Sequence, residues 1–126
     1  MGYFDNDPRF KGYQKNKYHN VKWEMDGEKY DSQKEARRHA ELKLLERAGE
    51  ISNLRRQVPY ELIPNQYNGK KLIERKVEYI ADFVYHDNKT GEDVVEDTKS
   101  KATKTPVYIV KRKLLLFRYG IKIKEV

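Results

Sequence analysis

Two β-type segments joined by a short polar connection constrain this chain more than any other feature. Val77 to Tyr85 embeds Asp82 among apolar side chains. Asp93 to Lys99 is a second such segment, with Val94 and Val95 ahead of Asp97 and Lys99. Between them, His86 to Gly91 holds Asn88, Thr90 and Gly91, residue types that turn a chain, so a hairpin is predicted. Strand side chains alternate faces, which puts Asp97 and Lys99 on one face and Glu96 and Thr98 on the other. Neighbouring strands lie about 5 Å apart, so the right register brings Asp82 beside Asp97. Glu78 shares the parity of Asp82 but, four residues away, lies about 13 Å off along the strand.

Two carboxylates that close repel unless something neutralises them. A hard divalent cation does so, and Mg²⁺ prefers oxygen ligands while keeping waters for phosphate chemistry; Mn²⁺ can substitute. Such an ion stabilises charge developing on a phosphodiester and acidifies a water. A lysine on the same face adds a cation whose pKa the surroundings can move. The spacing thus makes Asp82, Asp97 and Lys99 a candidate phosphodiester-hydrolysing site. Asp-x-Lys alone also fits a plain surface ion pair.

The rest of the chain supplies a scaffold. Residues 1–20 are polar and basic and read as a flexible arm, with Lys11, Lys15 and Lys17 interleaved with Tyr13 and Tyr18. Val21 to Tyr30 reads as a hairpin turning at Asp26-Gly27. Ser32 followed by Glu35 forms a capping box, opening a helix over Gln33 to Ala48 whose stripe is Ala40, Leu44 and Ala48, with Leu45 beside it. Gly49 stops it. Gln57 to Ile63 reads as a strand and Pro64 to Gly69 as a turn. Thr105-Pro106 starts a second helix, which Gly120 ends, and Ile121 and Ile123 begin a short last strand. On that helix Val107, Val110, Leu114 and Phe117 define an apolar face. Lys104, Lys111 and Arg118, with Tyr108 and Arg112 nearby, form a cationic stripe; together with Lys101 they are the predicted phosphate contacts. An ordinary amphipathic helix with solvated lysines is the plainer alternative. The expected architecture is α/β (α+β), a mixed central sheet flanked by helices, with an N-terminal β-hairpin and a single domain over residues 21–126.

Charge narrows the partner. Twenty-seven Lys and Arg against twenty Asp and Glu give +7 in 126 residues, which favours a polyanion, nucleic acid first. With no cysteine, disulfides and thiolate zinc sites are excluded, and a cytoplasmic setting is compatible. His19, His39 and His86 are scattered, which argues against a zinc site. No Gly-rich phosphate loop is present, so no nucleotide cofactor is expected. The first twenty residues hold no apolar run, so neither a signal peptide nor a membrane span is expected there.

An Asp, a hairpin-length gap of fifteen residues (97 − 82) and Asp97-x-Lys99 resemble the PD-(D/E)xK nucleases. The proline that classically precedes the first acid is Ala81 here. Further stretches, Asp31 to Arg38, Gly49 to Leu54, Gln57 to Leu62 and Lys104 to Tyr108, make residues 18–126 resemble a family of short proteins of tailed phages and prophages, long labelled a domain of unknown function. That family looks like PD-(D/E)xK nucleases, with restriction-endonuclease-like architecture. The resemblance implies a Mg²⁺-dependent DNA endonuclease in the bacterial cytoplasm that resolves branched recombination intermediates. Many members carry a Glu on an early helix completing the metal site, which makes Glu35 a candidate catalytic ligand; the capping box explains the same residue without metal. Paired incision of a four-way junction would fit a homodimer, and the hairpin with Trp23 and Met25 is one candidate interface. Two other readings stay open: a DNA-binding module of the same fold without turnover, and a structural or regulatory phage protein whose basic surface meets an acidic partner.

Overall fold

The computed structural model describes residues 10–15, 21–25 and 27–126. The chain divides into two compact units, Met1–Leu44 and Leu45–Val126.

In the first unit, β2 (Val21–Met25) and β3 (Glu28–Tyr30) form the expected hairpin, turning at Gly27 with φ +82°. A third strand, β1 (Phe10–Lys15), pairs antiparallel with β2, Tyr13 opposite Trp23. Part of the segment read as an arm is therefore strand; the rest of that reading lies outside the described residues. Helix α1 (Gln33–Arg47) opens as the capping box requires: Glu35 N–H donates to Ser32 Oγ at 3.1 Å. The carboxylate reaches back one residue further than expected, accepting from Asp31 N–H at 3.1 Å. Met25, Tyr30 and Ala36 are buried together, with Ala40 packed against them. The buried row of α1 is Glu35, Ala36, His39 and Leu42, whereas Leu44 and Ala48, expected on the inner stripe, are exposed. Tyr30 Oη and His39 Nδ1 share a hydrogen bond of 2.5 Å, which gives the buried imidazole its partner and favours this row over an all-aliphatic one.

The second unit is built on a mixed sheet in the order β4-β7-β8-β9. Strands β4 (Ile51–Ile63), β7 (Val77–Asp87) and β8 (Glu92–Asp97) are antiparallel; β9 (Lys124–Glu125) joins β8 in parallel. β4 starts six residues before the expected Gln57. Its first half carries Arg55 and Arg56 rather than an apolar alternation, and it is pairing with β7 that makes it a strand. Pro64 to Gly69 is not a simple turn. The chain continues as a second ladder, β5 (Gln66–Asn68) with β6 (Lys71–Glu74), closed by Gly69 at φ +63°, a conformation that suits glycine.

Helix α2 (Pro106–Tyr119) is bounded as predicted: Thr105 Oγ1 accepts from Tyr108 N–H at 3.2 Å, Pro106 stands at the first turn, and Gly120 is left-handed. Its orientation reverses the expectation. Tyr108 and Leu115 are buried, while Val107, Val110 and Phe117 are exposed, Phe117 at 88%. The face laid on the sheet carries Tyr108, Leu115 and the half-buried Ile109 and Leu114; it joins Leu62, Tyr79, Ala81, Val84, Val95 and Ile123 in one core. Tyrosine rings decide this choice. Tyr79 meets Tyr108 at 6.4 Å, which buries both rings, and Tyr60 meets Tyr119 edge-on at 6.0 Å; the hydroxyls of Tyr79, Tyr108 and Tyr119 all find partners. No described helix is long and apolar enough to cross a membrane.

Candidate active site

The β7–β8 register runs Tyr85 opposite Val94, Val84 opposite Val95 and Phe83 opposite Glu96. One residue further along each strand come Asp82 and Asp97, whose carboxyls adjoin as the hairpin spacing predicts. Strand β8 ends there. Thr98 turns its backbone N–H and its Oγ1 onto Asp82 Oδ2, at 2.9 and 2.7 Å, which fixes that carboxylate. Gln57 Nε2 stands 3.5 Å from the other oxygen, Oδ1. Gln57 has φ +51°, an uncommon backbone conformation for a residue other than glycine. Tyr79 Oη donates to Asp97 Oδ2 at 2.6 Å.

Lys99 lies past the end of β8 yet is held in place. Its N–H donates to Val126 O at 2.9 Å, and Val126 N–H donates to Asp97 O at 3.0 Å. Its ammonium sits 3.7 Å from Asp97 Oδ2 and 4.4 Å from the centre of the Tyr108 ring. Asp97 and Lys99 therefore do meet on one side, with an aromatic face beneath the cation.

Asp97 is 3% exposed. Burial, and then the adjoining Asp82 carboxyl, push its pKa up to about 8, against the smaller opposing effects of the Tyr79 hydroxyl and Lys99. Burial and the bond to Asp97 also raise the Tyr79 phenol, which stays a donor. Among the described residues no group of three or more His, Cys, Asp or Glu is arranged to hold a metal ion. The second unit offers two carboxylates, a number compatible with Mg²⁺, which completes its shell with water and phosphate oxygens. Glu35, 2% exposed, belongs to the first unit, where its capping bonds are seen.

Several of the residues predicted to contact phosphate have partners within the protein. Glu125 accepts from Tyr108 Oη at 2.6 Å, Arg112 Nη1 at 2.9 Å and Lys104 Nζ at 3.0 Å. Those donors, the Tyr108 hydroxyl first, hold the Glu125 pKa down at about 2. Arg118 Nη1 donates to Leu62 O at 2.8 Å. Tyr108 is a core residue, and Lys104, Arg112 and Arg118 are engaged within the protein. Lys101 is exposed in a 3₁₀ turn (Lys101–Thr103), and Lys111 is half-buried. Lys104 and Arg118 remain exposed while making these bonds, and Arg112 is half-buried. Sequence reasoning missed Tyr79, Thr98 and Glu125. Strand alternation assigned Thr98 to the opposite face, and nothing local marked Tyr79. Glu125 stood in a lysine-rich end whose pairing only the fold reveals.

No curated protein and no solved structure matches the chain. The family described as "Protein of unknown function (DUF1064)" matches residues 15–125. That match spans nearly the whole chain, both strands that carry the acids included, and the chain belongs to this family.

Proposed function

We propose that this protein is a Mg²⁺-dependent DNA endonuclease of the PD-(D/E)xK type, acting on branched recombination intermediates. One observation carries the reading: the Asp82 and Asp97 carboxyls adjoin, with the Lys99 ammonium 3.7 Å from Asp97. A buried acid beside a second carboxyl, without a full neutralising partner, is costly, and a hard dication is the partner these oxygen donors suit. Asp82 and Asp97 would hold the ion. Bound there, it would draw charge from the phosphate and acidify a water.

The chain's own groups do the rest. Thr98 and Tyr79 each fix one carboxylate by a short hydrogen bond, so the pair is organised before substrate arrives. Lys99, resting on the Tyr108 ring, presents a cation where negative charge grows as the phosphodiester is attacked, which stabilises the transition state more than the ground state. The excess of cations supplies the sequence-independent attraction to DNA. Paired cuts in a four-way junction call for two copies, so the proposal includes a homodimer. The test is cleavage of plasmid, flap and four-way junction substrates with Mg²⁺, Mn²⁺ or EDTA. Metal-dependent cutting supports the reading; tight DNA binding without cutting in any metal makes the protein a non-catalytic binding module instead.

A further inference from the structure

The β4–β7 pair does not end at the sheet. Beyond the row Ile63 opposite Val77, the two chains run on without β8 beside them as β5 and β6, with Tyr67 opposite Leu72 and Asn68 opposite Lys71. Asn65 Oδ1 accepts from Lys76 N–H at 2.6 Å and ties the chains together at the joint. The root is clamped by α2: Arg118 donates to Leu62 O at 2.8 Å, and Tyr119 Oη donates to Glu61 O at 2.6 Å. Past that clamp, every residue from 64 to 76 is exposed. The result is a two-stranded ribbon on a fixed mount.

Such a ribbon is marginal in water without something to pack on. This one nevertheless exposes Tyr67, Leu72 and Ile73 at 57, 41 and 57%. Around them stand Lys70, Lys71, Arg75 and Lys76 against a single acid, Glu74. Among the described residues only Lys76 of these cations has an ion-pair partner, Glu78 at 3.2 Å. Exposed apolar groups ask for a partner, and the cations state its charge. A second copy would bring like charge against like, whereas a polyanion is complementary. The major groove of duplex DNA, about 12 Å wide, admits a two-stranded β-ribbon. Leu72 is ten residues from Asp82 along the chain, at most about 33 Å, close to one helical turn of DNA.

We propose that the β5–β6 ribbon is a duplex-DNA grip, with Lys70, Lys71 and Arg75 on phosphates and Tyr67 and Leu72, paired on one face, against the groove. It rests on the nuclease reading only in taking DNA as the partner, and it names where the duplex is held away from the acids. The test is binding to a fluorescein-labelled duplex, in Ca²⁺, across a salt series. A Lys70→Ala/Lys71→Ala/Arg75→Ala variant should lower the slope of log K against log salt by ~0.9 per lost phosphate contact, up to ~2.7 in all. Tyr67→Ser/Leu72→Ser should weaken binding severalfold with the slope unchanged. Both variants alter exposed side chains only, and thermal melting verifies that each is folded. Unchanged affinity and slope in the triple variant overturn the proposal. So does a change confined to self-association in sedimentation, which would make the ribbon a contact between copies. If wild type never cuts DNA but the triple variant loses binding, the nuclease reading falls and the grip stands. If wild type cuts and the triple variant binds normally, the grip falls and the nuclease stands.

Discussion

Asp97→Asn is expected to stabilise the metal-free protein while removing its response to metal. Asp97 is almost fully buried, and its pKa stands at about 8 against an ordinary 3.8. For a carboxyl with a raised folded pKa, the stability it contributes is fully present below pH ~4 and is lost as pH rises through about 8. At 1.36 kcal/mol per unit, the shift sets an upper bound of about 6 kcal/mol on the destabilisation accumulated by pH 8. The surroundings relax on ionisation, so about 2–3 kcal/mol is expected. The side-chain amide introduced by the substitution would keep an acceptor for Tyr79 and carry no charge. For a chain of this length the gain corresponds to roughly 6–12 °C in melting midpoint. Thermal melts in EDTA at pH 5 and pH 8 measure it: the advantage of the variant should be large at pH 8 and smaller at pH 5. Adding Mg²⁺ should raise the wild-type midpoint and leave the variant unmoved. Equal destabilisation of the variant at both pH values, or an equal Mg²⁺ response in both proteins, would refute the reasoning.

Three further outcomes are expected. Glu35→Gln keeps an acceptor for Asp31 N–H and leaves the Ser32 cap intact, so its melting midpoint should stay near wild type; a cleavage rate reduced ~100-fold or more would make Glu35 a ligand, and a normal rate would leave it a cap. Lys99→Ala should lower the single-turnover rate by ~100-fold with only a modest loss of DNA affinity in Ca²⁺, and Lys99→Arg should rescue poorly because the guanidinium is larger and does not release its proton. Glu125→Gln should cost about 1–2 kcal/mol in denaturant titrations, since it weakens charge-assisted bonds from Lys104 and Arg112. Because the Glu125 pKa is depressed, its contribution is present above the ordinary value and fades as pH falls toward about 2, so wild type and variant should converge there.

The β7–β8 hairpin and the helix caps were legible because their signals are local. Asp82 and Asp97 come together for reasons visible in the spacing of a hairpin, and Thr105, Pro106 and Gly120 bound α2 through backbone chemistry that needs no tertiary partner. What stayed hidden depends on distant residues. The helical wheel of α2 has two plausible inner faces, one aliphatic and one built on Tyr108 and Leu115. The second wins because Glu125, the carbonyl of Leu62 and the ring of Tyr79 lie where its polar and aromatic groups can use them. Thr98 moved for a similar reason: β8 ends at Asp97, so alternation no longer applies one residue later. The β5–β6 ladder escaped notice because its residues bury nothing on either face and so leave no apolar period to read.

The central claim is that Asp82 and Asp97 together form a metal-dependent phosphodiesterase site. Single-turnover cleavage of an end-labelled four-way junction and a matched duplex, by wild type, Asp82→Asn and Asp97→Asn, tests it most directly. The account predicts cutting by wild type in Mg²⁺, none in EDTA, and a loss of at least ~100-fold in either variant while DNA binding in Ca²⁺ persists. Wild-type rates in either variant, or cutting that survives EDTA undiminished, would contradict it.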